Sequence, residues 1–144
     1  MAIAPKAILA LDVGTKRVGV AIAMLDVRFA YPLPTLDATD PELMTNLQTL
    51  IQSEAVGQLV VGMPRGLQSQ ETDQTTYTRQ FIASLRSLID IPIDEQDEAL
   101  TSAKAEDELR TRGKPYKPEE VDALAATYIL EDWLREHEPR KQTT

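Results

Sequence analysis

The fold is decided by a stretch near the start of the chain, which reads AILALDVGTKRVGVAIA from Ala7 to Ala23. Two apolar runs flank a polar turn that contains Gly14. Short apolar runs are typical of strands buried on both faces, and the tight turn predicts that the two strands pair as a hairpin. Asp12 interrupts the first run, and a carboxylate partly buried at that point needs a cation or several hydrogen-bond donors.

The rest of the chain alternates between strand and helix patterns. Further strands are predicted over residues 28–36, 58–62 and 91–97, and helices over 40–54, 75–89, 101–110 and 119–136. The resulting order, β-β-β-α-β-α-β-α-α, predicts an α/β protein with a mixed five-stranded sheet flanked by helices. We expect one domain over residues 1–138 and a disordered tail over 139–144.

The composition excludes several classes of chemistry. The 144 residues contain no Cys and a single His, His137, which excludes thiol catalysis and multi-His metal sites. A metal site would have to use carboxylates, which suit Mg²⁺ or Mn²⁺. The net charge of −8 argues against coating nucleic acid or an anionic membrane through bulk charge, although it allows a local basic patch. Neither a signal peptide nor a membrane-spanning segment is evident, so we expect a cytoplasmic protein that does not associate with membranes.

Acids occur at three positions where the pattern gives them a potential role. Asp12 ends an apolar strand, Asp97 and Glu98 end a late strand, and Asp122 lies in an almost apolar stretch of the final helix. Each has a simpler explanation: a turn cap at Asp12, a solvated charge run at Asp97 and Glu98, and a first-turn acid favoured by the helix dipole at Asp122. Adjacent residues of a strand point in opposite directions, so only one of the Asp97–Glu98 pair can face an active site. Together the three positions supply the carboxylates of a two-metal phosphodiester site.

Four segments resemble the motifs of the YqgF/RuvX family. They are Leu11-Asp-Val-Gly-Thr-Lys-Arg-Val-Gly-Val-Ala21, Val60-Val-Gly-Met-Pro64, Asp97-Glu-Ala-Leu-Thr-Ser102, and Val121-Asp-Ala-Leu-Ala-Ala126 with Ile129-Leu130. The resemblance covers nearly the whole chain, in the family's order and spacing. It implies an RNase H-like fold and a Holliday-junction-resolvase-like nuclease linked to processing of pre-16S ribosomal RNA.

The resemblance also implies roles for individual residues. It assigns Asp12, Glu98 and Asp122 as catalytic acids that bind one or two Mg²⁺ or Mn²⁺ ions, and thereby favours Glu98 over Asp97. The chain departs from the family at Ala99, where many relatives have Arg, and in the loop 112–118, which is often more basic.

Six basic residues are candidates for binding nucleic acid, since phosphate contacts of this kind position a strand without reading its bases. They are Lys16, Arg17, Arg65, Arg112, Lys114 and Lys117. The alternative for each is an ordinary solvated loop charge. Tyr116, in the same loop as the last three, could stack on a base.

The sequence thus predicts a metal-dependent endonuclease that hydrolyses phosphodiester bonds of structured RNA or branched DNA. The two activities implied are processing of the 5′ end of pre-16S rRNA and resolution of Holliday junctions. Symmetrical cleavage of a four-way junction requires two active sites, which makes a homodimer attractive. The alternative is a non-catalytic nucleic-acid-binding or ribosome-assembly factor. An actin-like phosphotransferase, which shares an Asp-x-Gly-Thr motif, would need two large domains and does not fit in 144 residues.

Overall fold

The structure is a computed structural model that describes residues 4–64, 72–98 and 101–138. Within these ranges the strands are β1 (Ala7–Val13), β2 (Arg17–Met24), β3 (Tyr31–Asp37), β4 (Val56–Met63) and β5 (Ile93–Asp97). The helices are α1 (Leu43–Ser53), α2 (Asp73–Arg86), α3 (Thr101–Thr111) and α4 (Pro118–Glu136). The order of elements predicted from the sequence is confirmed.

The five strands form one mixed sheet in the order β3-β2-β1-β4-β5. Strand β2 pairs antiparallel with both β1 and β3, whereas β4 pairs in parallel with both β1 and β5. The hairpin is formed as predicted, with Leu11 opposite Val20 and Asp12 opposite Gly19. The central position of β1 explains its apolar sequence, because it is covered on both faces and paired along both edges.

The two faces of the sheet bury different sets of helices. Alternate residues of β1 that include Leu9 and Leu11 pack with residues of α1 and α2. The intervening residues, Ile8 and Ala10, pack with α4, and α3 lies against α4. Because side chains alternate along a strand, Asp12 falls on the α4 face of β1.

Strand β5 begins two residues later than the sequence predicts, and two other elements begin three residues later. Helix α1 starts at Leu43, because the Asp40 carboxylate accepts the Glu42 N–H at 2.9 Å and holds the preceding residues in a turn. Strand β3 starts at Tyr31, because Arg28 has a left-handed backbone (φ 56°) and its guanidinium donates to the main chain at the end of α4. The tail predicted to be disordered, residues 139–144, lies outside the described residues. Among those that are described, no helix is long and apolar enough to cross a membrane.

Candidate active site

A cavity of about 290 Å³ opens where β1, β4 and β5 end. All three candidate acids line it: Asp12 at the end of β1, Glu98 just after β5, and Asp122 in the first turns of α4. They lie far apart in the sequence, and the mixed sheet and the crossing of α4 bring them to one place.

Asp12 is only partly exposed and carries the cost of that burial. Desolvation, together with the smaller effect of the Asp122 charge, raises the pKa of its carboxyl group to about 6. The amide of Gly14 donates to the Arg17 carbonyl oxygen at 2.9 Å, so this amide does not cap Asp12 as the simpler interpretation requires. A cation in the cavity would offset the cost of the Asp12 charge.

Glu98 is the member of the acidic pair that faces the cavity. Asp94, four residues earlier, accepts a 2.9 Å hydrogen bond from the Trp133 indole on α4. Period-two alternation therefore directs Glu98 to the same side, whereas Asp97 is exposed and does not line the cavity. The Glu98 amide donates to the Met63 carbonyl oxygen at 3.0 Å, which fixes its backbone to the end of β4.

The two carboxylate oxygens of Glu98 differ in their surroundings. Oε2 accepts the Thr101 hydroxyl, while Oε1 is buried and has no hydrogen-bond partner among the described residues. Burial raises the pKa of Glu98 to about 7; Thr101 opposes the shift, and the Asp132 and Asp12 carboxylates add to it. A hydrogen bond between two carboxyl groups requires that one of them is protonated. When both are ionised, the Asp132 carboxylate cannot donate to Glu98, and Oε1 remains without a donor.

Asp122 is held close to the sheet by the contact of α4 with β2. A Cβ atom added to Gly19 would lie 2.0 Å from the Asp122 carbonyl oxygen, so only glycine permits this approach. The Asp122 carboxylate accepts a hydrogen bond from Arg17 Nε at 2.5 Å and forms an ion pair with it. Arg17, predicted to contact nucleic acid, is thus paired with one of the candidate catalytic acids.

The three carboxylates are of the ligand type that a divalent cation prefers, but they are spaced too widely to bind one ion together. Among the described residues, no three His, Cys, Asp or Glu side chains are grouped tightly enough to hold one ion. The orphaned Oε1 of Glu98 and the raised pKa values of Asp12 and Glu98 nevertheless mark a place where positive charge is missing. Asp12, Glu98 and Asp122 are the residues that could hold the ion, once Asp122 parts from Arg17.

The remaining predicted cations lie on the surface or outside the described residues. Lys16 is exposed in the β1–β2 turn, and the three basic residues between α3 and α4, Arg112, Lys114 and Lys117, are exposed as well. Arg112 forms an ion pair with Glu108 at 3.7 Å, as expected for neighbours one helical turn apart. Arg65 and Ala99 fall outside the described residues.

Three residues around the cavity were missed by sequence reasoning. Thr101 donates to Glu98, Asp132 acts electrostatically on Glu98, and Gln74 donates to the Val13 carbonyl oxygen at 2.7 Å and lines the cavity. Ile129 occupies the space that a side chain at Gly62 would fill. Asp132 follows Ile129 by one helical turn, and this spacing is the only feature of the sequence that points to Asp132.

The fold is shared with solved structures of RuvC. Thermus thermophilus RuvC, solved in complex with a Holliday junction substrate, matches with a TM-score of 0.58 at 13% identity and covers 92% of this chain and 97% of that one. A second Thermus thermophilus RuvC structure matches with a TM-score of 0.52 over 90% of this chain and 95% of its own. At such low identity the likeness concerns the fold, and the protein has the RNase H-like fold.

A family model narrows the class. The model of RuvX, described as Holliday junction resolvase, matches residues 6–136, and the chain belongs to this family. Two similar proteins are named "Putative pre-16S rRNA nuclease". The one from Maridesulfovibrio salexigens is 41% identical and covers 88% of this chain and 96% of its own length; the one from Chloroflexus aurantiacus has the same identity over 88% and 85%.

Proposed function

We propose that this protein is a metal-dependent endonuclease that hydrolyses phosphodiester bonds of structured nucleic acid. The observation that carries the proposal is the convergence of Asp12, Glu98 and Asp122 on one cavity, with two of the three carboxyl groups buried enough to raise their pKa. Perturbed carboxyl groups that gather in a cleft are typical of catalytic sites.

The three acids would hold one or two Mg²⁺ or Mn²⁺ ions. Such ions supply a nucleophilic water at neutral pH and offset the negative charge that develops on the phosphate. Thr101 fixes the orientation of Glu98 through its hydroxyl, and the α4–β2 contact at Gly19 fixes the backbone of Asp122. Gln74 secures the end of β1 through Val13, so the side chain of Asp12 projects from a restrained backbone.

The substrate would be held beside the cavity by cations on neighbouring loops. Lys16 follows Asp12 closely in the hairpin turn, and Lys117 directly precedes the helix that carries Asp122. Arg112 and Lys114, in the segment before α4, would add phosphate contacts, and we propose the same role for Arg65, which follows Pro64 in the sequence. The names of the relatives support precursor 16S rRNA as the substrate, and the family description supports a Holliday junction, for which a homodimer would provide two sites.

A cleavage panel tests the proposal. The substrates are a four-way DNA junction, an RNA–DNA hybrid, a single strand and a pre-16S rRNA fragment, each with Mg²⁺ and with Mn²⁺. We expect cleavage of a structured substrate by the wild type and its loss, by at least about 100-fold, in Asp12→Asn, Glu98→Gln and Asp122→Asn. Asp97→Asn is the matched control because it removes a neighbouring acid that does not line the cavity. Undiminished cleavage by folded Asp12→Asn would overturn the assignment.

A second candidate function is that of a non-catalytic nucleic-acid-binding or ribosome-assembly factor. The ion pair between Arg17 and Asp122 favours it, since that pairing occupies one of the proposed ligands. Ala99 favours it too, because the chain lacks the Arg that many relatives have beside Glu98. Calorimetric titration with Mn²⁺ separates the two: the absence of binding at millimolar concentrations, together with no cleavage, would support the non-catalytic function.

A further inference from the structure

Arg17 is a candidate for binding nucleic acid, and it contacts Asp122, a candidate metal ligand. Its Nε atom lies 2.5 Å from Asp122 Oδ2, and the two side chains are 33% and 20% exposed. The pair joins the start of β2 to the start of α4, across 105 residues of sequence. Asp122 is a proposed metal ligand, so the guanidinium occupies a position where the proposed function requires a metal–carboxylate bond.

The ion pair occurs together with a wide spacing of the acids. With Asp122 bound to Arg17, no three acids among the described residues are close enough together to share an ion. Asp12 and Asp122 are near enough for the charge of Asp122 to raise the pKa of Asp12. Arg17 supplies the positive charge that makes this juxtaposition tolerable in the metal-free protein.

The surroundings of Arg17 give the side chain somewhere to go. A second cavity, of about 290 Å³, lies beside Asp122 and is lined by Arg17, Glu106, Tyr116, Pro118 and Val121. Glu119 also acts electrostatically on the guanidinium. The cavity leaves space for the Arg17 side chain beside Asp122, and a guanidinium is suited to bind a phosphate.

We propose that Arg17 is a positioning residue with two states: in the metal-free protein it is the counter-ion of Asp122, and a bound divalent ion displaces it to contact the phosphate of the nucleic acid. This inference rests on the proposed function, because it assumes that Asp122 binds metal. It makes ion binding and nucleic-acid binding mutually reinforcing through one side chain, since each ligand favours the displaced state.

The first test measures metal affinity alone. Mn²⁺ is titrated calorimetrically into the wild type, Arg17→Gln, Arg17→Lys and Asp12→Asn. Because the ion no longer competes with a guanidinium, we expect Arg17→Gln to bind Mn²⁺ about twofold to fivefold more tightly, a gain typical of one partly exposed ion pair. Arg17→Lys, which keeps the charge, should fall between the two. Lys16→Gln is the matched control: it removes a neighbouring exposed cation and should leave the dissociation constant unchanged.

The second test measures the coupling. Affinity for a labelled four-way DNA junction is determined by fluorescence anisotropy in EDTA and in Ca²⁺, which takes the same oxygen ligands. Arg17→Gln should weaken junction binding several-fold in Ca²⁺ and hardly at all in EDTA, where the wild-type side chain is held by Asp122. Lys16→Gln should weaken binding equally in both conditions, since its side chain is not tied to an acid of the site.

The outcomes separate this inference from the proposed function. If wild-type protein binds Mn²⁺ in a way that Asp12→Asn abolishes, but Arg17→Gln binds it no more tightly, the inference is overturned and the proposed metal site stands. Equal loss of junction affinity by Arg17→Gln in EDTA and Ca²⁺ overturns it as well. Failure of the wild type and of every variant to bind Mn²⁺ overturns both.

Discussion

Asp12 and Glu98 are carboxyl groups placed where their charged form is poorly solvated. Burial is the leading cause of the raised pKa in both, and the neighbouring acids add to it. Burial of these charged groups destabilises the metal-free protein, and a bound cation would offset that cost. A substitution that removes one of the charges should therefore raise the stability of the metal-free protein and lower the activity of the enzyme.

Asp12→Asn should therefore stabilise the metal-free protein while abolishing cleavage. The folded protein holds the Asp12 proton up to about pH 6 and the unfolded chain only to about pH 4, so this group costs stability as the pH rises through that interval. The gain in unfolding free energy over the wild type should be near zero at pH 4 and reach at most about 3 kcal/mol above pH 7. Urea unfolding in EDTA at several pH values measures it.

Addition of saturating Mn²⁺ provides the control for this prediction. The wild type should gain stability from the ion and Asp12→Asn much less, because the variant lacks one ligand. A difference between the two proteins that stays constant from pH 4 to pH 8 in EDTA would show that Asp12 does not carry the cost of burial.

The sequence contains part of this arrangement of residues. The choice of Glu98 follows from strand alternation once Asp94 is known to face α4, but that contact with Trp133 is not visible in the sequence. The Arg17–Asp122 pair and the effect of Asp132 could not be predicted, because they depend on how α4 crosses the sheet. The motifs place acids in the right elements; only the packing shows what else they touch.

At the scale of elements, the site depends on how closely α4 approaches β2 and β4. Gly19 lies opposite Asp12 in the hairpin and beneath the Asp122 backbone, and Gly62 makes room for Ile129 beside Glu98. The apolar patterns of the sequence predict the order of these elements and the pairing of β1 with β2. They do not predict the distance between them, which is set by the absence of a side chain at two glycines.

Gly19→Ala should destabilise the fold and displace Asp122. The added Cβ would lie 2.0 Å from a backbone oxygen, which cannot move without shifting the helix, and we expect a loss of at least about 2 kcal/mol. Gly57→Ala is the comparison: its Cβ would lie 2.3 Å from the Cβ of Pro5, and the loss should be smaller than for Gly19→Ala because an exposed segment ahead of β1 must shift instead of a packed helix. Urea midpoints at unchanged slope measure both. Equal losses in the two variants would contradict the argument.

At the scale of the whole molecule, the charge distribution limits how nucleic acid can bind. The chain carries 23 acidic and 15 basic residues, and the excess lies in residues 37–100, whose net charge is −8, while 1–36 carry +2 and 101–144 carry −2. The described cations near the site sit in the β1–β2 turn and in the segment before α4, both from the nearly balanced ends. The acids of the cavity themselves repel phosphate until ions neutralise them.

Binding to a four-way junction should therefore be weak, sensitive to salt and strengthened by divalent ions. With about five phosphate contacts in EDTA, from Lys16, Arg65, Arg112, Lys114 and Lys117, the logarithm of the affinity should fall against the logarithm of salt with a slope no steeper than about −5. Ca²⁺ should raise the affinity at constant ionic strength. The double variant Asp12→Asn/Glu98→Gln should lose this increase, because it alters the ion site. It should keep the salt slope measured in EDTA, because it leaves the Lys and Arg side chains unchanged. Fluorescence anisotropy across a salt series, with and without Ca²⁺, measures both quantities. Tight binding to an arbitrary duplex in EDTA would mean that the surface attracts nucleic acid without the metal, and would contradict the role assigned here to the acidic cavity.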